Sequence, residues 1–308
     1  MRAKWVVVFL ALAACGGRRE RAPAADAGRD GSAGAEPRAA IEDLPAAPAC
    51  AERACEPVTI ATLPIDRGTA LALDGAGFAY VGELYGDRIF RVPLAPGAPT
   101  PPTVLYRSPG RDIGALEVRG DLLRWSSSAA GAIYEAPLAG TGPIRVVADG
   151  MPGIWGFATD ERWIYWADFG GAVPGMLWKT PIGGGSSTGL GRDPTSRLAT
   201  NVMLDGPGGD LVYTDRTPRL LRVSPAGGPP TVWIQLPGRR ESHGLAQDAT
   251  HVYLETLSAN EVLRIDRQTR RIERFARTPA APAAIAVDDT HVYWIDYIGP
   301  VTLRAQRK

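Results

Sequence analysis

Asp288-Asp289-Thr290-His291-Val292-Tyr293-Trp294-Ile295-Asp296 is a turn leading into a short apolar strand, and degraded copies of it recur back to residue 74. Tyr293 has counterparts at Tyr253, Tyr213, Tyr165 and Tyr80, and Arg124, followed by Trp125, fills the one place where the tyrosine is missing. Successive steps along that series are 44, 41, 48, 40 and 40 residues. A period near 40 built from short strands signals a closed repeat architecture, a propeller in particular.

Each repeat has four parts. In the first they are Thr69-Ala-Leu-Ala-Leu73, Phe78-Ala-Tyr-Val81, Arg88-Ile-Phe-Arg-Val92 and Thr103-Val-Leu-Tyr106. The third part recurs with a charged residue at Arg91, Glu135, Lys179, Arg222, Arg264 and Arg304, so a second landmark keeps the same period. The last repeat stops four residues after Arg304, without a fourth strand. An orphan strand, Pro57-Val-Thr-Ile-Ala-Thr-Leu63, stands before the first repeat and is expected to complete the sixth blade. Closure of that kind removes exposed sheet edges. The expectation is an all-β, six-bladed β-propeller of four-stranded blades over residues 50–308. The longest step contains Gly183-Gly-Gly-Ser-Ser-Thr-Gly189 and Arg192-Asp-Pro194, read as an extended surface loop.

The 308 residues suit one closed all-β domain. A formal charge of +1 gives no global field to recruit nucleic acid or anionic lipid. Frequent glycine and proline fit a fold that turns every few residues.

Residues 1–14 read as an address rather than as fold. Arg2 and Lys4 precede an apolar run from Trp5 to Ala14, too short to span a bilayer and of signal-peptide length. Its end, Leu12-Ala13-Ala14-Cys15, resembles the lipobox of bacterial lipoproteins. That resemblance implies cleavage before Cys15, lipidation at Cys15, and residence in the cell envelope, with Gly16 permitting sorting to the outer membrane. The propeller would then stand in the periplasm or at the cell surface. Residues 15–49 are Ala-, Arg-, Gly- and Pro-rich and are expected to form a disordered tether. In an oxidising compartment Cys50 and Cys55 are expected to pair as a disulfide; metal ligation lacks a completing set of ligands.

The folded region resembles six-bladed propellers of the YWTD and NHL type through Tyr165-Trp166-Ala167-Asp168, Tyr293-Trp294-Ile295-Asp296 and the shortened Tyr213-Thr214-Asp215. The resemblance implies that the aromatic pair packs between sheets and the aspartate pins a loop. It carries fold and not chemistry.

In such a ring the first strand of each blade lines a central channel. The loops leading into it share one face, here called upper, with those joining strands two and three. Asp74, Asp160, Asp205, Asp248 and Asp288 follow strand one on the lower face and read as turn formers. Glu83, Asp168, Asp215, Glu255 and Asp296 follow strand two on the upper face, as an acidic rim for a cation or basic ligand or as partners neutralised by strand-three bases between blades. Trp155, Asn201 and His243 precede channel-lining strands and are the candidate ligand contacts. A histidine at that place serves as base, ligand or structural donor, and streptogramin-lyase-type propellers use one in the channel. Gluconolactonase-type propellers hold a channel calcium with Glu, Asn and Asp; here Asn201 is a candidate, but the neighbouring loops look short of ligands. The expectation is a monomeric binding or scaffold propeller without cofactor, meeting an envelope protein or small ligand on the upper face. The alternative is a hydrolase or lyase centred on His243 and Asn201.

Overall fold

The computed structural model describes Leu44 and residues 56–95, 101–171, 173–206, 208–297 and 299–308. Cys15, Cys50 and Cys55, with the expected signal peptide and almost all of the tether, lie outside the described residues. The described secondary structure is β-strand only, in six four-stranded antiparallel sheets.

Blade one comprises β2 (Gly68–Leu73), β3 (Phe78–Glu83), β4 (Arg88–Pro93) and β5 (Thr103–Arg107). Blade two comprises β6 (Ile113–Arg119), β7 (Leu122–Ser127), β8 (Ala132–Pro137) and β9 (Arg145–Ala148). Blade three comprises β10 (Ile154–Thr159), β11 (Trp163–Asp168), β12 (Leu177–Pro181) and β13 (Thr188–Gly191). Blade four comprises β14 (Asn201–Leu204), β15 (Leu211–Thr214), β16 (Arg219–Val223) and β17 (Thr231–Gln235). Blade five comprises β18 (Ser242–Gln247), β19 (His251–Thr256), β20 (Glu261–Asp266) and β21 (Ile272–Arg277). Blade six comprises β22 (Pro282–Val287), β23 (His291–Asp296) and β24 (Thr302–Arg307), and is completed by β1 (Val58–Thr62), which pairs antiparallel with β24. The orphan strand closes the ring as its sequence implied. The glycine-rich stretch after Pro181 is not loop throughout: its end, from Thr188, is the outermost strand of blade three.

The apolar core lies between blades, not within them. A strand sends alternate side chains to opposite faces, and each face of a blade meets a neighbour. Tyr293 packs with blade one, beside Phe90 and Val92, while Trp294 packs with blade five, beside Tyr253 and Phe275. Trp125 likewise sits 6.0 Å from the Tyr106 ring of blade one and 5.9 Å from Tyr134 of its own blade.

This alternation corrects the alignment of blade four. Tyr213 packs with blade three, whereas the tyrosines of blades one, three, five and six each pack with the following blade. Asp215 closes strand two as Asp296 does, which places Tyr213 at the tryptophan position and Val212 at the tyrosine position. The tyrosine is therefore missing twice, as Arg124 in blade two and as Val212 in blade four.

Where the tyrosine is present it forms a latch. Tyr80 Oη donates to Asp74 at 3.1 Å, Tyr165 to Asp160 at 2.7 Å, Tyr253 to Asp248 at 3.1 Å and Tyr293 to Asp288 at 2.9 Å. The same aspartates accept the backbone N–H groups of their turns, for example Thr290 at 2.7 Å and His291 at 2.7 Å on Asp288. Burial would raise the carboxyls of Asp160, Asp248 and Asp288, but their hydrogen bonds outweigh it and hold them below the usual range.

Candidate functional site

The six innermost strands surround a cavity of about 270 Å³ on the ring axis. They approach one another closely. A Cβ on Gly156 would lie 2.5 Å from Thr200 O and 2.7 Å from the Asn201 Cα, so only glycine fits there. In β2, β6, β10, β18 and β22 the register shifts near the upper end of the strand, at Trp155-Gly156 in β10 and at His243-Gly244 in β18. A bulge of this kind re-aims a side chain and increases local twist. β14 keeps regular register from Asn201 to Leu204.

The structure sets Trp155 and Asn201 side by side, because the Gly156 N–H donates to Thr200 O at 3.0 Å. The Trp155 ring stacks on Phe169 with centroids 4.9 Å apart. Asn201 lines the channel cavity, along with Thr69, Glu117, Thr159 and Gln247. Trp155 and His243 do not line it. His243 stands one blade further on, half-buried; removal from water and, next, the Arg216 charge hold its imidazole down to about 3. Its N–H donates to Glu255 Oε2 at 3.2 Å, while its Nε2 and the Glu255 Oε1 are buried without hydrogen-bond partners. Burial pushes the Glu255 carboxyl well above its ordinary range.

The five upper-face carboxylates do not form an open rim. Asp168, Asp215, Glu255 and Asp296 are each at most 4% exposed. Asp168 accepts the N–H groups of Gly170, Gly171 and Val173. Glu83 pairs with Arg88 at 2.7 Å, Asp215 with Arg219 at 2.7 Å and Asp296 with Arg304 at 3.0 Å. The neutralising arginines belong to the same blade as each acid, and only Arg304 comes from the charged series on strand three. Arg222 and Arg264 are paired elsewhere, with Asp205 and Glu273.

Among the described residues no three His, Cys, Asp or Glu side chains converge as a metal-ligand set. A hard cation such as calcium takes six to eight oxygen ligands, several of them ionised. The single carboxylate lining the channel, Glu117, accepts Thr159 Oγ1 at 2.6 Å and is raised by burial. The channel residues therefore do not match a calcium cradle.

The larger cavity, about 500 Å³, opens on the lower face. It lies against the turns of blades two, three and four and shares Thr159 and Leu204 with the channel. Of its lining residues, sequence reasoning had singled out only Asp160, as a turn former; Arg124, the odd residue at a tyrosine position, reaches Thr159 in its wall.

No family model matches the chain, and no curated protein matches it. Solved structures do. A chain of the nidogen/laminin complex is 22% identical, with 69% of this chain and 81% of that chain covered at a TM-score of 0.57. Regucalcin, a calcium-binding protein from Agrobacterium tumefaciens, is 17% identical over 81% of this chain and 94% of its own at 0.64. A catalytically inactive virginiamycin B lyase from Staphylococcus aureus, with quinupristin, is 14% identical over 82% and 99% at 0.60. These likenesses agree with the ring described above: the chain is a six-bladed β-propeller of four-stranded blades. At such identities they speak to fold alone.

Proposed function

We propose that the chain is an envelope lipoprotein, anchored through Cys15, whose propeller binds a small polar molecule or an envelope protein at the upper mouth of its channel. One observation carries the binding reading: the titratable groups at that mouth are already committed. Burial holds His243 down and pushes Glu255 up, and Asp215 and Asp296 are ion-paired. A general base works best with a pKa near the operating pH, which His243 does not have. Among the described residues the Asn201 amide makes no hydrogen bond; Asn201 lines the cavity, next to the aromatic shelf of Trp155 and Phe169. An amide beside aromatic rings suits orientation of a ligand without proton transfer.

Turnover assays test this reading. Quinupristin and simple lactones, with and without added calcium, are expected to remain intact in the presence of the protein. Cleavage that disappears in His243→Ala would replace binding by a second reading, a hydrolase or lyase. The unpartnered His243 Nε2 and Glu255 Oε1 favour that second reading, since a substrate could complete both. For the anchor, Cys15→Ser is expected to move the protein out of the membrane fraction, and retention there would contradict lipidation.

A further inference from the structure

The two blades without a tyrosine latch flank blade three, and the lower-face cavity lies against these three blades. In blade two both latch positions are arginine. Arg119 ends β6 where Asp160 follows β10, and Arg124 stands where Tyr165 stands. Each reaches across to blade three: Arg119 Nη1 donates to Thr159 O at 3.0 Å and Arg124 Nη1 to Thr159 Oγ1 at 3.0 Å. In blade four the latch aspartate, Asp205, has no tyrosine to hold and instead pairs with Arg222 and with Arg267 of blade five. The strands on either side, β14 and β15, have only four residues each, and Gly206 and Gly208 between them stand at φ 81° and 68°. The cavity lies where a shortened inner hairpin and an arginine-bearing one stand on either side of blade three. Places where a repeat breaks its own rule are where function is expected.

The chemistry of the walls selects an anion. Arg119 and Arg162 both line the cavity, and neither forms an ion pair among the described residues. Of the nearby carboxylates, Asp160 has its oxygens filled by the N–H groups of Arg162 and Trp163 and by Tyr165 Oη. Glu117 is raised by burial towards its neutral form, and Glu161, which also lines the cavity, is exposed to solvent, where water screens its charge. Leu204 and the glycine turn supply an uncharged wall on the opposite side. A volume of about 500 Å³ is that of a small-molecule site. We infer that the lower face carries a second binding site, between blades two, three and four, for a small organic anion. Its carboxylate or phosphate group meets Arg119 and Arg162, and its body rests on Leu204. Guanidinium groups bind such oxyanions in planar, charge-assisted pairs. The site is separate from the upper-mouth reading and does not depend on it.

The test uses the full-length protein in detergent, with benzoate and phenyl phosphate as probes and benzyl alcohol as the uncharged control. Either anion is expected to bind saturably by calorimetry and to raise the unfolding midpoint, since a ligand of the native state alone must do so. Benzyl alcohol should do neither. Arg162→Gln, an exposed position, should weaken binding about tenfold, and adding Arg119→Gln should abolish it, with the circular dichroism spectrum unchanged. Loss of fold in the double variant would leave Arg162→Gln to decide. His243→Ala and Asn201→Ala should bind as the unaltered protein does. No saturable binding of either anion, or affinity unchanged in Arg162→Gln, overturns the inference. Binding lost in the upper-mouth variants instead would also overturn it.

Discussion

Blade six and blade four occupy equivalent places in one ring, yet they solve the lower-face turn differently. In blade six, Asp288 gathers two backbone N–H groups and the Tyr293 hydroxyl, so a single carboxylate fixes turn, strand and blade interface. In blade four, Val212 replaces the tyrosine, Asp205 turns to two arginines, and Tyr213 faces the opposite side with its Oη buried and unpartnered. Blade two goes further and carries arginine at both positions. The latch is thus a local device that the ring can omit where other side chains bridge to the next blade. In blade two Arg124 is neutralised within the blade by Glu135 at 3.1 Å and hydrogen-bonds Thr159 of blade three; in blade four Asp205 pairs with Arg267 of blade five.

Substitutions should separate the two solutions. The largest effect is expected for Arg124→Ala, which leaves Glu135 without its buried partner and the Thr159 hydroxyl without the guanidinium; breaking such a pair costs about 3 kcal/mol. Urea unfolding would measure it, and a loss below about 1 kcal/mol would show that the blade two network contributes little. Asp288→Ala should follow at about 2 kcal/mol, since two turn N–H groups and one hydroxyl lose their acceptor. Tyr293→Phe removes one hydrogen bond and should cost about 1 kcal/mol. Tyr213→Phe should cost almost nothing, because the Asp193 backbone near its hydroxyl lies outside hydrogen-bonding geometry. Equal losses for the two tyrosines would erase the distinction between the blades.

The smallest expected effect lies in pH dependence, and there the two solutions have opposite signs. The Asp288 carboxyl is depressed in the folded state, so its contribution is present above the ordinary carboxylate value near 4 and is lost as pH falls through the folded value. Asp288→Ala and the unaltered protein should therefore converge in stability as pH drops from 5 towards 3. Glu117 is raised by burial, so its contribution is present below the ordinary value and is lost as pH rises through the raised one. Glu117→Gln should lack that decline between pH 4 and 8. A decline that persists in the variant would assign it to another group, Glu255 first.

Much of this molecule was legible in its sequence because the repeat is written in residues that packing requires. Two series of landmarks kept one period, and the incomplete last blade pointed to the strand at Val58–Thr62. The misplacement of Tyr213 has a definite cause. Spacing counts letters, and the residues between β14 and β15 absorbed the slip; in a strand, one residue of slip moves a side chain to the other face. The upper-face candidates were visible as residue types at equivalent places. Their state was not, because burial of His243 and Glu255 depends on how neighbouring blades close over them. The arginine pair of blade two was half visible: Arg124 broke the tyrosine series, but Arg119 broke an aspartate series whose blade two member had gone unnoticed.

Closure by β1 also sets a timetable for synthesis. Thr59 in β1 accepts a hydrogen bond from Arg304, 245 positions later. At ordinary rates of translation the interval between their emergence is on the order of tens of seconds. Throughout that interval the first strand made has no partner, and up to five blades stand as an open arc with an unpaired edge. The ring therefore cannot close before β24 is made, and its closing seam joins the two strands farthest apart in the sequence of strands.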